Sequence, residues 1–351
     1  MKIENPHPKS IPTGVVTMAH GGGGSAMRKL IEGIIIPAFN NPLLSALEDQ
    51  ATAPLTELLT HGDRLAFTTD SYVVTPIDFP GGDMGKLAVC GTVNDLAVSG
   101  AKPMYLSCGL IIEEGMEIAK LTAIVERIAQ TAREAGVMVV TGDTKVVERG
   151  AADQIFINTA GIGVIPMGVN ISASRAQVGD VVIVNGCLGD HGVAILLARN
   201  ELALDAEVFS DCQPLHGLVD VMLNACQDIH CMRDATRGGL ATVLNEFASS
   251  SNVGIRLQEA AIPVNEVVRG ACEILGLDPM YLANEGKLVA IVPASHAQAV
   301  IAAMRAHPAG REAVIIGEIT AEPAGRVVLS TAFGGHRVMD MLVGEQLPRI
   351  C

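Results

Sequence analysis

The chain has 351 residues, 49% of them hydrophobic, and carries 38 acidic against 24 basic side chains for a net charge of −14. Such a length accommodates one or two domains with sizeable cores and excludes a disordered class. The acidic balance, with 3% aromatic residues and no Trp, excludes a basic or base-stacking nucleic-acid binder.

No apolar run approaches the roughly 18 residues that span a membrane; the longest candidate, Ile34–Phe39, is broken by Pro37. The start, Met1-Lys-Ile-Glu-Asn-Pro, has no apolar signal core. The expectation is a soluble cytoplasmic protein without membrane or nucleic-acid partners. None of the eight cysteines is in Cys-x-x-Cys spacing, which suits reduced core thiols rather than a zinc knuckle or redox pair. Cys351 stands apart as the last residue.

In chain order, residues 1–42 form a Gly-rich segment, with His20-Gly-Gly-Gly-Gly-Ser25 feeding a helix that begins near Met27. Arg64–Thr69 and Tyr72–Thr75 read as short strands around Asp70, and Gly81–Gly85 reads as a loop. The following helix buries Val89, Val93 and Leu96. Met104–Ile112 is a predicted strand, and Glu117–Ala135 a helix with Ile118, Leu121, Val125, Ile128 and Ala132 on one face. Val137–Thr141 and Gln154–Ile165 are predicted strands. The pattern resets near Pro166–Asp180, which separates an N-terminal domain over 43–168 from a second over 169–335.

The second half alternates again. Val181–Val184 is a strand, and a helix follows Gly189-Asp-His-Gly192. His216–Asp228 and Arg237–Ala248 are helices. Lys287–Val292, Ala313–Gly317 and Arg326–Leu329 are strands around the helix Ser295–Ala306. Residues 336–351 lack amphipathic pattern, and Pro348 opposes a helix through the end, so they read as a mobile tail. The fold class is α/β and α+β in two domains.

Several carboxylates sit at loop–helix junctions or strand ends. Asp70 follows an apolar strand, Asp83 lies among glycines, Asn94 and Asp95 lie on the next helix, Asp143 follows a strand, and Asp234 precedes a helix. Mg²⁺ commonly takes one or two carboxylates plus substrate phosphates, and Gly-rich loops offer N–H groups to phosphate. The set therefore suits a Mg–nucleotide site; the bland alternative is ordinary helix capping. No P-loop, dinucleotide fingerprint or His-Glu-x-x-His occurs. A terminal thiol such as Cys351 can reach a pocket on a flexible tail, or be incidental.

The run Asp78-Phe-Pro-Gly-Gly-Asp-Met-Gly-Lys-Leu-Ala-Val-Cys-Gly-Thr-Val-Asn-Asp-Leu-Ala-Val-Ser-Gly-Ala-Lys-Pro103 resembles the HypE family of hydrogenase maturation factors. So do Thr141-Gly-Asp-Thr-Lys-Val-Val147, Asp234-Ala-Thr-Arg-Gly-Gly-Leu240, Tyr281-Leu-Ala-Asn-Glu-Gly-Lys287 and the ending Pro348-Arg-Ile-Cys351. That family is similar to aminoimidazole ribonucleotide synthetase (PurM-like).

The resemblance implies an N-terminal domain whose strands build a β-barrel with a second subunit of a homodimer, a C-terminal α+β domain, and ATP bound between them. It implies Mg²⁺ held by Asp70, Asp95 and Asp234. His20, Gly21 and Gly22 would close over the phosphates, with Asp83, Asn94 and Asp143 also in the nucleotide site. It implies that the carbamoyltransferase HypF loads Cys351. ATP then dehydrates the thiocarbamate to a thiocyanate, and a HypC–HypD complex accepts the cyanide. Glu285 would be the base and Lys145 the cation near the developing oxyanion, with His191 a further candidate. The alternatives are a selenophosphate synthetase, although residues 20–27 contain no Cys for its reactive position, and a non-catalytic scaffold whose tail docks on a maturation complex.

Overall fold

The computed structural model describes residues 13–199, 207–342, 344 and 351. The Gly-rich segment leads into α1 (Ser25–Leu30), a π turn (Ile31–Ile35), α2 (Ile36–Phe39), α3 (Pro42–Ser45) and α4 (Leu55–Leu58). Then come β1 (Arg64–Tyr72), β2 (Asp78–Phe79), β3 (Gly82–Asp83), α5 (Met84–Val98), β4 (Lys102–Glu113), α6 (Ile118–Glu134), β5 (Met138–Val147) and β6 (Ile155–Ile165). The four long strands form one sheet in the order β1-β6-β4-β5, with β4 and β5 parallel and the other pairs antiparallel.

In place of the two short strands expected at Arg64–Thr69 and Tyr72–Thr75 there is one, Arg64–Tyr72, whose nine residues pair with β6, Asp70 opposite Thr159; residues 73–75 lie beyond it. The expected loop at Gly81–Gly85 contains a two-residue strand that pairs with Asp78–Phe79. The strand expected to end at Thr141 runs on to Val147, which places Asp143 and Lys145 within β5.

Helices α5 and α6 cover one face of this sheet. Leu87, Val93, Leu106, Ile112, Leu121, Val125, Ile155 and Ile157 meet there as one core. Nearly every residue of α5 is buried, the mark of a helix covered on all sides. Its far end packs Ala97 and Val98 into a second core with Leu218, Met222 and Met232 of the C-terminal half. Thus α5 is the shared wall of the two domains.

The opposite face of the sheet is covered only in part, where Leu58 packs on Tyr105, Val140 and Val164. Strand alternation puts Leu65, Phe67, Ile111, Asp143 and Lys145 on it, and Leu65, Phe67 and Ile111 are 60%, 72% and 42% exposed.

The C-terminal half contains β7 (Val181–Val184), α7 (Asp190–Ala198), α8 (His216–Ala225), β8 (Cys231–Asp234), α9 (Gly239–Ser251), β9 (Gly254–Gln258), α10 (Glu266–Leu275), β10 (Leu288–Val292), α11 (Ala297–Ala306), β11 (Val314–Thr320), β12 (Val327–Ser330) and β13 (His336–Met339). Its seven strands are ordered β13-β12-β9-β11-β7-β10-β8. Leu240, Leu244 and Phe247 of α9 pack against Val182, Val184, Ile255 and Ile291 of that sheet. Strands β8 and β9 and helix α10 go beyond the sequence expectation.

Within the tail expected over 336–351, His336–Met339 is instead a strand paired with β12. Residues 343 and 345–350 lie outside the described residues, as do 1–12 and 200–206. Among the described residues no helix is long and apolar enough to cross a membrane.

Candidate active site

A cleft of about 610 Å³ opens between the two domains, lined by β1, α5, the end of β8, the turn at Glu285 and Cys351. Alternation along β1 turns Thr68, Asp70 and Tyr72 toward α5. Thr68 Oγ1 donates to Asp95 Oδ2 at 2.7 Å, and Tyr72 Oη donates to Asp70 Oδ2 at 3.4 Å. Glycine is required at position 91 because a side chain there would strike the Tyr72 hydroxyl. Strand β8 ends at Asp234, opposite Leu288 of β10, so the edge of the second sheet delivers the third acid.

Burial and the adjoining Asp70 raise the pKa of Asp95, against the lowering bond from Thr68. Burial, then the charges of Asp95 and Asp70, push Asp234 up to about 7. Glu285 is buried, 3% exposed. Burial first, then Cys212, Asp234 and Asp211, hold it well above the ordinary carboxylate range. Its Oε1 has no hydrogen-bond partner, although buried polar atoms are ordinarily paired. An unpaired carboxyl oxygen facing a cleft of acids is available for a proton or a ligand.

The carboxyl of the terminal residue is tethered where the Val73 N–H donates to Cys351 O at 3.3 Å. The Cys351 thiol lies in the same cleft and is pushed up to about 12, chiefly by burial and then by Glu285, with Arg237 opposing. Arg233 and Arg237 supply the positive side chains of the lining. Arg233 is paired with Glu246, and Arg237 stands exposed at the mouth.

Five of the sequence-selected residues, Asp70, Asp95, Asp234, Glu285 and Cys351, therefore meet in one cleft. The others do not. Asn94 is buried as a strut between the domains: its Nδ2 donates to Gln213 O and Glu285 O, and its Oδ1 accepts from Leu215 N. Asp83 caps α5 by accepting from Lys86 N at 2.9 Å and pairs with Arg127 at 2.8 Å. His191 is fully buried, with Nδ1 against Ser210 Oγ at 2.8 Å.

Asp143 and Lys145 pair with one another at 3.0 Å, both exposed, on the strand at the far edge of the sheet from β1. Three strand spacings separate those edges by about 14 Å, and Lys145 points from the opposite face. The Gly-rich segment joins this second group. His20 is fixed by Thr17, its Nδ1 accepting from Thr17 N at 3.0 Å. Gly21 lies so close to β5 that a Cβ would sit 2.7 Å from Val146 N. Within one chain, His20, Gly21, Gly22, Asp143 and Lys145 thus form a set separate from the acid cleft.

Sequence reasoning missed Tyr72, Thr236 and Arg237. The last two lie inside the quoted Asp234–Leu240 motif, where only Asp234 was given a role. The tight run Gly238-Gly239, both at positive φ (73° and 58°), lets α9 start directly behind Thr236 and Arg237.

The acids give a pH-dependent expectation. A carboxyl whose folded pKa is raised binds more protons folded than unfolded. Its destabilising effect therefore grows as pH rises from about 4 and is complete above about 7. Asp234→Asn is expected to raise the melting temperature by several degrees near pH 8 and not near pH 4, as calorimetry would show. Equal gains at both pH values would mean that Asp234 carries no repulsion.

The model of the AIR synthase related protein N-terminal domain matches residues 48–165, and that of the C-terminal domain matches 177–330. The chain is 56% identical over 336 residues to the carbamoyl dehydratase HypE of Rhodobacter capsulatus, covering 96% of this chain and 98% of the relative. The crystal structure of the hydrogenase maturation protein HypE in complex with ATP superposes with a TM-score of 0.90 at 49% identity, covering 95% of this chain and 99% of that one. The crystal structure of a HypE–HypF complex matches with a TM-score of 0.77 at 44% identity, over 91% of this chain and 100% of that one.

Proposed function

The chain belongs to the HypE carbamoyl dehydratase family, and from that premise we propose that it uses ATP to dehydrate a carbamoyl group on the Cys351 sulfur to a thiocyanate. The product would supply cyanide to the iron of a [NiFe]-hydrogenase. The observation that carries this reading is the meeting of Cys351 with Asp70, Asp95, Asp234 and the unpaired Glu285 in one cleft.

The chemistry balances with those groups. An amide oxygen is a poor leaving group. Attack of the carbamoyl oxygen on the γ-phosphorus of ATP releases ADP and makes that oxygen part of a phosphate ester. Loss of inorganic phosphate with both N–H protons leaves S–C≡N. The protons need an acceptor, and Glu285 has the free oxygen for it. Burial and the neighbouring acids hold that carboxyl well above the ordinary range; offsetting their charge would favour its ionised form, which can take a proton from nitrogen.

The acid set fits Mg²⁺. Among the described residues no three such groups converge on a single point, so the fit is to an ion that takes one or two carboxylates and completes its shell with phosphate oxygens. Asp70 and Asp95 adjoin and Asp234 is near; burial first, and then the neighbouring carboxylates, raise the pKa values of Asp95 and Asp234, and a cation would relieve that repulsion. When bound, the ion offsets charge on the transferring phosphoryl group. Asp95→Asn is expected to weaken Mg-dependent ATP binding at least ~10-fold with a melting temperature no lower than that of the native chain. Unchanged binding by calorimetric titration would remove Asp95 from the site.

In the cleft Cys351 is a neutral thiol, and only the thiolate is an effective nucleophile. Carbamoyl loading therefore fits a state in which Cys351 has left the cleft to meet HypF, and transfer of cyanide to HypC–HypD fits the same outward state.

A homodimer would account for the exposed part of that sheet face and for the second group of residues. A second copy covering Leu65 and Phe67 would remove a large apolar patch from water. It would also bring its own Lys145, Asp143 and His20–Gly22 toward the cleft that β1 borders. Phe67→Asp is expected to sediment as a monomer. Lys145→Met and Cys351→Ala are each expected to be inactive, and their mixture active through mixed dimers, measured as thiocyanate formed. An inactive mixture would place Lys145 outside the partner's site.

A further inference from the structure

The segment over 207–215 touches both domains and the turn that carries Glu285. Ser210 N donates to Pro80 O at 2.8 Å, and a Cβ at Gly81 would clash with Ser210. Leu215 N donates to Asn94 Oδ1 at 2.7 Å. On its other side stands Asp211, whose side chain is 3% exposed. Asp211 Oδ1 accepts from Glu285 N at 3.0 Å, and its Oδ2 accepts from Gly286 N at 3.1 Å and Lys287 Nζ at 3.1 Å.

The carbonyls of the same turn are held as well. Glu285 O accepts from Asn94 Nδ2 at 3.3 Å, and Gly286 O accepts from Asn185 Nδ2 at 3.1 Å and Gln213 Nε2 at 3.3 Å. Position 286 must be glycine, since a Cβ would collide with the Asp211 carbonyl.

We propose that Asp211 is the positioning residue of the dehydration site: its carboxylate clamps three consecutive residues and so fixes the side chain of Glu285, toward the thiocarbamate. This rests on the functional reading above. Two features argue for it over a role in folding alone. Both N–H groups that Asp211 takes belong to the turn that presents Glu285, and the Glu285 carboxyl has no polar partner of its own at Oε1. Its direction is therefore set by the backbone beneath it. Lys287 neutralises Asp211, which allows an ionised clamp at this depth. A carboxylate accepting from two N–H groups and an ammonium makes charge-assisted bonds, about twice as strong as neutral ones. The strap also touches Pro80 and Asn94, so the register of the two domains and the aim of the base are set together.

Asparagine at 211 keeps the shape and loses one acceptor. Asp211→Asn is expected to lower the single-turnover rate of thiocyanate formation by ~10–10²-fold, the scale of a base displaced by about 1 Å. The dissociation constant for Mg–ATP and carbamoyl loading by HypF should stay within about twofold. The deciding measurement is a double-mutant cycle. In the Glu285→Gln background, Asp211→Asn should cause no further loss, because a residue acting through Glu285 has nothing left to position.

If the single variant folds poorly with an unpaired buried Lys287, the pair Asp211→Asn with Lys287→Met removes both charges and is expected to show the same slowing and the same absence of effect beside Glu285→Gln. A native rate in a folded variant, or an equal loss with and without Glu285, overturns the proposal. A native chain that forms no thiocyanate from its loaded thiol and ATP overturns the functional reading itself, and this one with it.

Discussion

Cys351→Ala is expected to abolish thiocyanate formation while leaving Mg–ATP binding within about twofold and the melting temperature within a degree or two. The loss should be complete because the sulfur carries the reacting carbon, and no other cleft side chain is a thiol: Cys90, Cys108, Cys212, Cys226, Cys231 and Cys272 are buried, and Cys187 has its sulfur 3.5 Å from Glu312, outside the cleft lining. The fold should be spared because a terminal side chain contributes little to a core; Cys351 only packs against the edge of the N-terminal core. Intact-mass analysis after incubation with HypF, carbamoyl phosphate and ATP gives the order of events. Carbamoylation should add mass at Cys351 alone, and ATP should then remove one water from that adduct. An adduct on another cysteine, or normal cyanide delivery by the alanine variant, would sink the carrier mechanism.

Glu285→Gln is expected to slow dehydration by ~10²–10⁴-fold, the usual range for loss of a general base, with ATP binding and carbamoylation retained. Glutamine is nearly isosteric and cannot take a proton. Because burial and neighbouring acids hold the native carboxyl well above its ordinary range, the native rate should rise with pH as Glu285 ionises, and the residual rate of the glutamine variant should lose that limb. Removing the charge also removes repulsion among the acids, so the variant should melt no lower than the native chain. A glutamine variant with the native rate would leave Glu285 as a turn residue and the base elsewhere.

Local pattern carried much of the architecture. The period of Ile118, Leu121, Val125 and Ile128 predicts α6, and the apolar runs Val181–Val184 and Lys287–Val292 predict β7 and β10 with boundaries close to those observed. Strand β8 was not legible, because Cys-Met-Arg-Asp has no periodicity and becomes a strand only by pairing with β10. Residues 336–339 read as tail for the same reason: His-Arg-Val-Met shows no alternation, only Met339 of the four is buried, and the strand is ordered by β12.

The site divides along the same line. The acids, Glu285 and the terminal thiol could be chosen from the chain because their residue types and motifs are written in it, and the cleft brings those five together. That Asp143 and Lys145 share a face follows from alternation along one strand. Which face it is, and that it looks away from Asp70, depends on sheet order and on the helices covering the other side. Asp211 had no sequence signal at all, since its partners are mainly backbone N–H groups remote in the chain. The sequence by itself determined the elements with strong periodicity and the identities of the groups able to do the chemistry, because both are properties of neighbours along the chain. Only the tertiary structure decided which carboxylates repel one another, which thiol is buried among them and which acid holds the base in place, because distance and desolvation exist only once the two domains close around α5.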